Sequence, residues 1–248
     1  MSNAKNCSDA EWQARVDLAA TYRLCVHYGW DNLIYNHIAL RVPGEPGNFL
    51  FKRHKLMFDE VCASNLVKIG LNGRPLDEGD DVNAAGFTIH TAILKARSDL
   101  NCTLHVHGKA GMAMSAHRDG LLSMTQGAMR FHNRLSYHDY EGIATDLDES
   151  ARLARDLGGM HKAMILRNHG LLTCGETVSH ALTLMRYLMG ACETQLMLQA
   201  TGCEITIPPD DVCEHAARQW EHHDAHGGKD DWPAYLRIAD RLDPSYRT

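Results

Sequence analysis

"TLHVHG", residues 103–108, places two histidines one residue apart in a run that otherwise reads as a strand. Side chains i and i+2 of a strand share a face, so His105 and His107 present imidazoles whose backbones lie about 6–7 Å apart. That spacing suits two ligands of one ion. It is also the spacing of two solvated imidazoles on a polar strand face, and a chain with 16 histidines makes such pairs by chance.

The flanks place this strand in a sheet covered by helices. Before it, "AAGFTIHTAILKARSDL" (84–100) carries Phe87, Ile89, Ala92, Ile93 and Ala96 at the spacing of a helix packed on a sheet. After it, "AGMAMSAHRDG" (110–120) reads as a helix with small residues on one side. "YNHIALRVPGEPGNFLF" (35–51) alternates through Ile38, Leu40 and Val42 to a Pro/Gly turn and a second apolar run, a hairpin-like pair of strands. "LVKIGLNGRPL" (66–76) repeats the pattern around Asn72-Gly73. "HKAMILRNHGLLTCG" (161–175) is a buried strand, a Gly-bounded turn, and "LLTCG" as its return.

Ser8 and Glu11 have capping-box spacing ahead of Trp12, Val16, Ala19, Ala20 and Leu24, which predicts an opening helix of about 18 residues. Thr173 and Glu176 have the same spacing before the longest predicted helix, from about Val178 to Ala200. Its stripe of Leu182, Met185, Leu188, Met189, Cys192 and Leu196 reads as core or subunit interface. "EHHDAHGG" (221–228) reads as a solvated loop, and "GGMH" near 160 as a turn. Helices interrupted by strands in no strict alternation predict an α/β or α+β fold with a central mixed or antiparallel sheet. No composition shift marks a seam, so residues 1–248 are expected to form a single domain with a polar C-terminal extension from about residue 204.

Composition narrows the partners. The chain has 31 acidic against 25 basic side chains, a formal charge of −6, and no basic footprint for nucleic acid or anionic lipid. The eight cysteines form no Cys-x-x-Cys, which fits a reducing compartment. No stretch approaches the roughly 20 apolar residues of a membrane span, and the N-terminal residues lack the pattern of a signal peptide. The expectation is a cytoplasmic protein acting on a small molecule, without nucleic-acid or membrane partners.

His169, in "ILRNHGLL", follows an apolar run and precedes a glycine, where a strand ends and its side chains converge on a cleft. Three neutral imidazoles with an open position suffice to bind a divalent ion, but sequence spacing alone does not bring His169 to the pair.

"NAAGFTIHTAILKARSDLNCTLHVHG", "SYHDYEGIA" and "ILRNHGLLTCGETVSHALTLMRYLMGACETQ" resemble the class II aldolase and adducin head-domain family, from about Ala14 to Ala200, and are closest to its adducin-like bacterial branch. The resemblance implies a three-layer α/β/α fold with a central mixed, largely antiparallel sheet. It implies His105, His107 and His169 as ligands of a divalent ion, zinc first, with iron, manganese or cobalt as alternatives. It also implies a homotetramer with the active site between subunits.

The sequence departs from the family's sugar-phosphate enzymes at two places. Those carry a glutamate four residues before the histidine that here is His90, and Gly86 stands in its place; glycine takes no proton. On this reading Gly86→Glu restores a proton-transfer group. The phosphate-binding segments resemble "IYNHIALR" and "FKRHKLMFDEV", where Asn36 matches and Arg41 keeps a charge, but Ala39 replaces a hydroxyl. The expected substrate contacts are Asn36, Arg41 and His90.

His37, His54, Arg130, His132, His138, Tyr140 and Glu141 fall in segments expected at strand ends. Of these, His138, Tyr140 and Glu141 are the catalytic candidates, with His138 and Tyr140 placed on one side by alternation. The expected function is a metal-dependent carbon–carbon lyase acting on a small non-phosphorylated hydroxy or keto acid through an enediolate, by decarboxylation or retro-aldol cleavage. The alternatives are a non-haem iron oxygenase on the same scaffold and a non-catalytic, adducin-like binding module.

Overall fold

The computed structural model describes residues 7–76, 81–142 and 147–248. The end of "SYHDYEGIA" therefore lies outside the described residues. Seven strands form one sheet: β1 (His37–Val42), β2 (Glu45–Phe51), β3 (Val67–Gly70), β4 (Cys102–Val106), β5 (Leu135–His138), β6 (Ala163–Leu166) and β7 (Gly170–Gly175). Their order is β3-β2-β1-β4-β7-β6-β5. Every neighbouring pair is antiparallel except β5 with β6. The Asn72-Gly73 turn is followed by an isolated bridge from Pro75 to Ile69, not by a further strand.

The period of two divides the sheet's side chains between two cores. Ile38, Leu40, Leu104, Val106, Ile165 and Leu171 join one core, with α1 (Asp9–His27) and α6 (Val178–Gln199). Ala39, Phe49, Phe51, Met164, Leu166 and Leu172 join the other, with α2 (Ala84–Ala96) and α5 (Leu147–Leu157). Helices on both faces make this the three-layer α/β/α arrangement. Between β4 and β5 lie α3 (Lys109–Ser115) and the one-turn α4 (Gln126–Met129).

Ser8 caps α1, its hydroxyl accepting from the Glu11 amide at 3.2 Å. The cap of α6 differs from the expected one. Thr177, not Thr173, accepts from the His180 amide at 3.0 Å. Thr173 is held in β7, where its hydroxyl donates to the Ala181 carbonyl.

The polar C-terminal stretch is built into the molecule. Helix α7 (Asp210–Asp224) takes up Glu221–Asp224 of the expected loop, because Arg134 pairs with Glu214 and Glu221, and Arg130 with Asp224. Helix α8 (Trp232–Leu242) and a terminal 3-10 turn pack against α1, burying Tyr235, Ala239 and Tyr246 in the first core. Among the described residues, no helix is long and apolar enough to cross a membrane.

Candidate metal centre

Register brings the three histidines together. His105 lies in β4 opposite Leu172 of β7 and His37 of β1, so it faces the α2 and α5 layer. His107 follows the end of β4. His169 comes from the tight β6–β7 connection, where Leu166 pairs with Gly170 and only three residues intervene. In that turn Asn168 has φ of 55°, the left-handed region that Asn tolerates better than most residues. Gly170 is needed for close approach, since a Cβ there would stand 2.7 Å from the Val106 carbonyl oxygen and 3.0 Å from His107 Cδ2. The Asn-His-Gly motif thus packs its turn directly on β4.

The ring centroids of His105, His107 and His169 form a near-equilateral triangle of 4.7, 4.7 and 4.8 Å. One nitrogen from each lies within 4.8 Å of the others. His105 Nδ1 is 2.9 Å from the Leu171 carbonyl oxygen, which can only accept, so Nδ1 carries the proton and Nε2 keeps its lone pair for the cluster. His105 Nε2 and His107 Nε2 are 2.9 Å apart, and Asn32 approaches His107 Nδ1 at 3.3 Å. Burial, reinforced by the neighbouring imidazoles, holds His105 well below the ordinary histidine range. Burial lowers His107 too, and takes His169 to about 4 with help from His107 and His138. All three are neutral at physiological pH, as ligation requires, and they fit a divalent ion with open positions.

Beside the triangle stands a second imidazole pair that sequence reasoning did not assemble. His37 Nδ1 and His90 Nε2 are 2.8 Å apart, and His90 Nδ1 lies 2.6 Å from Thr103 Oγ1. A Cβ at position 86 would meet the His37 ring at 2.4 Å. The space into which a side chain at 86 would project is therefore filled by His37. Only the pairing of β1 with β4 puts His37 there, and sequence spacing carries no such register.

The other expected site residues separate. Asn36, with φ of 67°, sits buried at the site end of β1; its Nδ2 donates to the Trp30 carbonyl, and its Oδ1 has no partner. Arg41 shares the face of His37 but lies four residues along, about 13 Å away at strand rise. Its guanidinium donates to the carbonyls of Pro46, Leu94 and Leu100. Alternation does not extend from His138 to Tyr140, because β5 ends at His138: His138 is buried and Tyr140 is 54% exposed. Glu141 pairs with Arg152 at the surface. Arg130 is clasped between Tyr187 and Trp220, and His132 lies against Asp210 of α7, which ties both to the C-terminal helices. The Lys52 ammonium, within the phosphate-like segment, lies in hydrogen-bond reach of four carbonyls, those of Ile34, Arg53, His54 and Leu56, which take up its three N–H donors.

The buried imidazoles set an acid limit on stability. Burial takes His90 to about 3 and His180 to about 4, alongside His169 at about 4. The unfolded chain, titrating near 6.5, binds these protons first, so stability is full above about pH 6.5 and falls as pH drops toward 4. Urea midpoints of chelator-treated protein are expected to fall steadily over that window. A flat profile would contradict the buried, neutral state of these rings.

The profile of the class II aldolase and adducin N-terminal domain matches residues 16–196. The chain belongs to the class II aldolase and adducin family. A crystal structure of an aldolase II superfamily protein from Pseudomonas syringae is 43% identical, covers 98% of each chain and superposes with a TM-score of 0.93. An L-fuculose 1-phosphate aldolase from Glaciozyma antarctica is 26% identical over all of this chain and 96% of its own, with a TM-score of 0.86. Rattus norvegicus α-adducin is 44% identical over 76% of this chain, a span that is 26% of the adducin.

Proposed function

We propose that the protein is a divalent-metal-dependent lyase, zinc being the first choice of ion, that acts on a small non-phosphorylated hydroxy or keto acid by decarboxylation or retro-aldol cleavage. The observation that carries this reading is the convergence of three neutral imidazoles from β4, the segment after it, and the β6–β7 turn. A divalent ion held by His105, His107 and His169 would polarise a carbonyl and stabilise the enediolate charge. Around it, the loop 31–36 contributes Asn32 beside His107, and the sheet contributes His37 and His90. Two cations of the phosphate-like segments, Lys52 and Arg41, are committed to backbone carbonyls, and Ala39 faces the second core. Asn36 Oδ1, buried without a partner, is an acceptor suited to a substrate hydroxyl.

Likeness to the Glaciozyma antarctica protein supports a second reading, cleavage of a sugar phosphate. The test is turnover by metal-loaded protein of L-fuculose 1-phosphate against a panel of 2-hydroxy and 2-keto acids. Turnover of the acids with at most a trace on the phosphate supports the first reading, and vigorous phosphate cleavage replaces it with the second. A metal-loaded protein inert to both favours the non-catalytic role that likeness to α-adducin supports. The proposal includes a homotetramer, since Leu33 and Tyr35 are exposed on the loop that touches His107 and a neighbouring subunit would cover them. Light scattering that shows only monomer at micromolar concentration would remove that part.

A further inference from the structure

The buried stripe of α5 carries one acid. Glu149, Leu153 and Leu157 recur every four residues, which turns Glu149 toward the sheet together with the two leucines, and it is 7% exposed. Facing it is His138, 4% exposed, at the end of β5. His138 Nδ1 donates to Asp156 Oδ2 at 2.7 Å. That bond orients the ring and leaves Nε2 3.6 Å from Glu149 Oε1, buried and without a hydrogen-bond partner.

The two carboxyl groups on this imidazole have opposite tendencies. Burial pushes Glu149 up, with Glu141 adding to it and His138 and Arg152 opposing. Asp156 feels burial as well, but its bonds to His138 and Arg155 hold it below the ordinary carboxylate range. One acid whose ionisation burial opposes, beside one whose ionisation its partners favour, is the arrangement by which a pair divides proton donation from orientation.

Glu149 and His138 line, with Ile89, Tyr140, Arg167 and His169, a recess of about 10 Å³. That is room for about one water-sized group. The recess adjoins the His169 edge of the cluster, and in the sheet β5 lies on the opposite flank from β1 with its His37.

We propose that Glu149 is the proton-transfer residue of this centre, aimed by His138, which Asp156 in turn orients. The proposal rests on the lyase reading. When a carbon–carbon bond of the substrate breaks, the other fragment departs as carbon dioxide, or as an aldehyde whose hydroxyl proton passes to water, and the electron pair stays on the retained fragment as an enediolate. The Glu149 carboxyl gives its proton to that carbon through a water in the recess, is left as a carboxylate facing His138, and regains a proton from solvent. In the reverse direction the carboxylate removes the proton from carbon. His138 and Asp156 are positioning residues.

The test uses the metal-loaded full chain and hydroxyacetone in D₂O, with exchange at the hydroxymethyl carbon followed by proton NMR and bound metal measured on the same samples. Glu149→Gln is expected to lower exchange by about 10²–10⁴-fold at unchanged metal content. Glu149→Asp, which keeps a titratable carboxyl group, is expected to recover part of the rate and covers the case in which the amide variant fails to fold. Asp156→Asn is expected to lower kcat with KM steady and to displace the acid limb of the pH profile, which a merely structural role would not do. Wild-type exchange by Glu149→Gln overturns the proposal and leaves the lyase reading standing. A metal-loaded wild type that exchanges nothing overturns the proposal, and the lyase reading falls with it only if the panel of 2-hydroxy and 2-keto acids is also left unturned.

Discussion

His105→Ala, His107→Ala and His169→Ala are each expected to reduce bound divalent metal from about one per chain to near none. With the ion goes a charge stabilisation of several kcal/mol, so metal-dependent turnover should fall on the order of 10³-fold or more. A readout independent of turnover is the thermal shift. At 100 times Kd a ligand stabilises the folded state by about 2.7 kcal/mol, and the variants should lose that metal-induced rise in Tm. The three are not expected to behave alike without metal. His105 is buried and its Nδ1 serves the Leu171 carbonyl, so alanine there adds an unsatisfied acceptor, a further cost of about 1–3 kcal/mol. His107 and His169 are partly exposed, and their removal should leave the metal-free fold nearly unchanged. Full metal occupancy in any one variant removes that residue from the ligand set.

Gly86→Ala is the second large effect, and its sign is diagnostic. In an ordinary helix interior the change stabilises by about 1 kcal/mol. Here the new Cβ would lie 2.4 Å from His37 Cδ2 and 2.7 Å from its Cγ. The ring has little freedom to yield, because it stacks near Phe51 and is bonded to His90. The expected outcome is a loss of about 1–3 kcal/mol, read as a lower Tm. Gly86→Glu meets the same obstruction, which corrects the expectation that a carboxylate placed there restores proton transfer: it would first have to evict His37. Adding His37→Ala to Gly86→Ala should recover much of the loss, the non-additivity expected of groups in contact. A Gly86→Ala protein as stable as wild type would show that His37 does not hold that space.

Layer order and chemistry were legible in the sequence to different depths. The helical spacing of Trp12, Val16, Ala19 and Leu24 and the alternation of Ile38, Leu40 and Val42 depend on local periodicity, and α1 and β1 form where they indicate. Capping was harder, since Thr173 and Thr177 both precede α6 and the choice between them depends on whether β7 continues through Thr173. The C-terminal loop expected at 221–228 was misread for a related reason. Its charges are partners for Arg130 and Arg134, more than 80 residues away, and those pairs hold α7 in place.

Sequence by itself determined local facts: where α1, β1 and β4 run, that His105 and His107 share a side, and that His169 follows the end of a strand, because these follow from a period of two or 3.6 along one chain. Family likeness added the third candidate ligand, His169. Tertiary structure alone decided what surrounds them. Pairing of β1 with β4 set His37 into the space over Gly86, and the approach of α5 to β5 set Glu149 against His138. The sign of that acid was present as a lone glutamate on the Leu153–Leu157 stripe, but its partner was not. Strand register and helix placement are fixed by burial summed over both faces of the sheet, a sum over residues far apart in the chain that no local spacing contains.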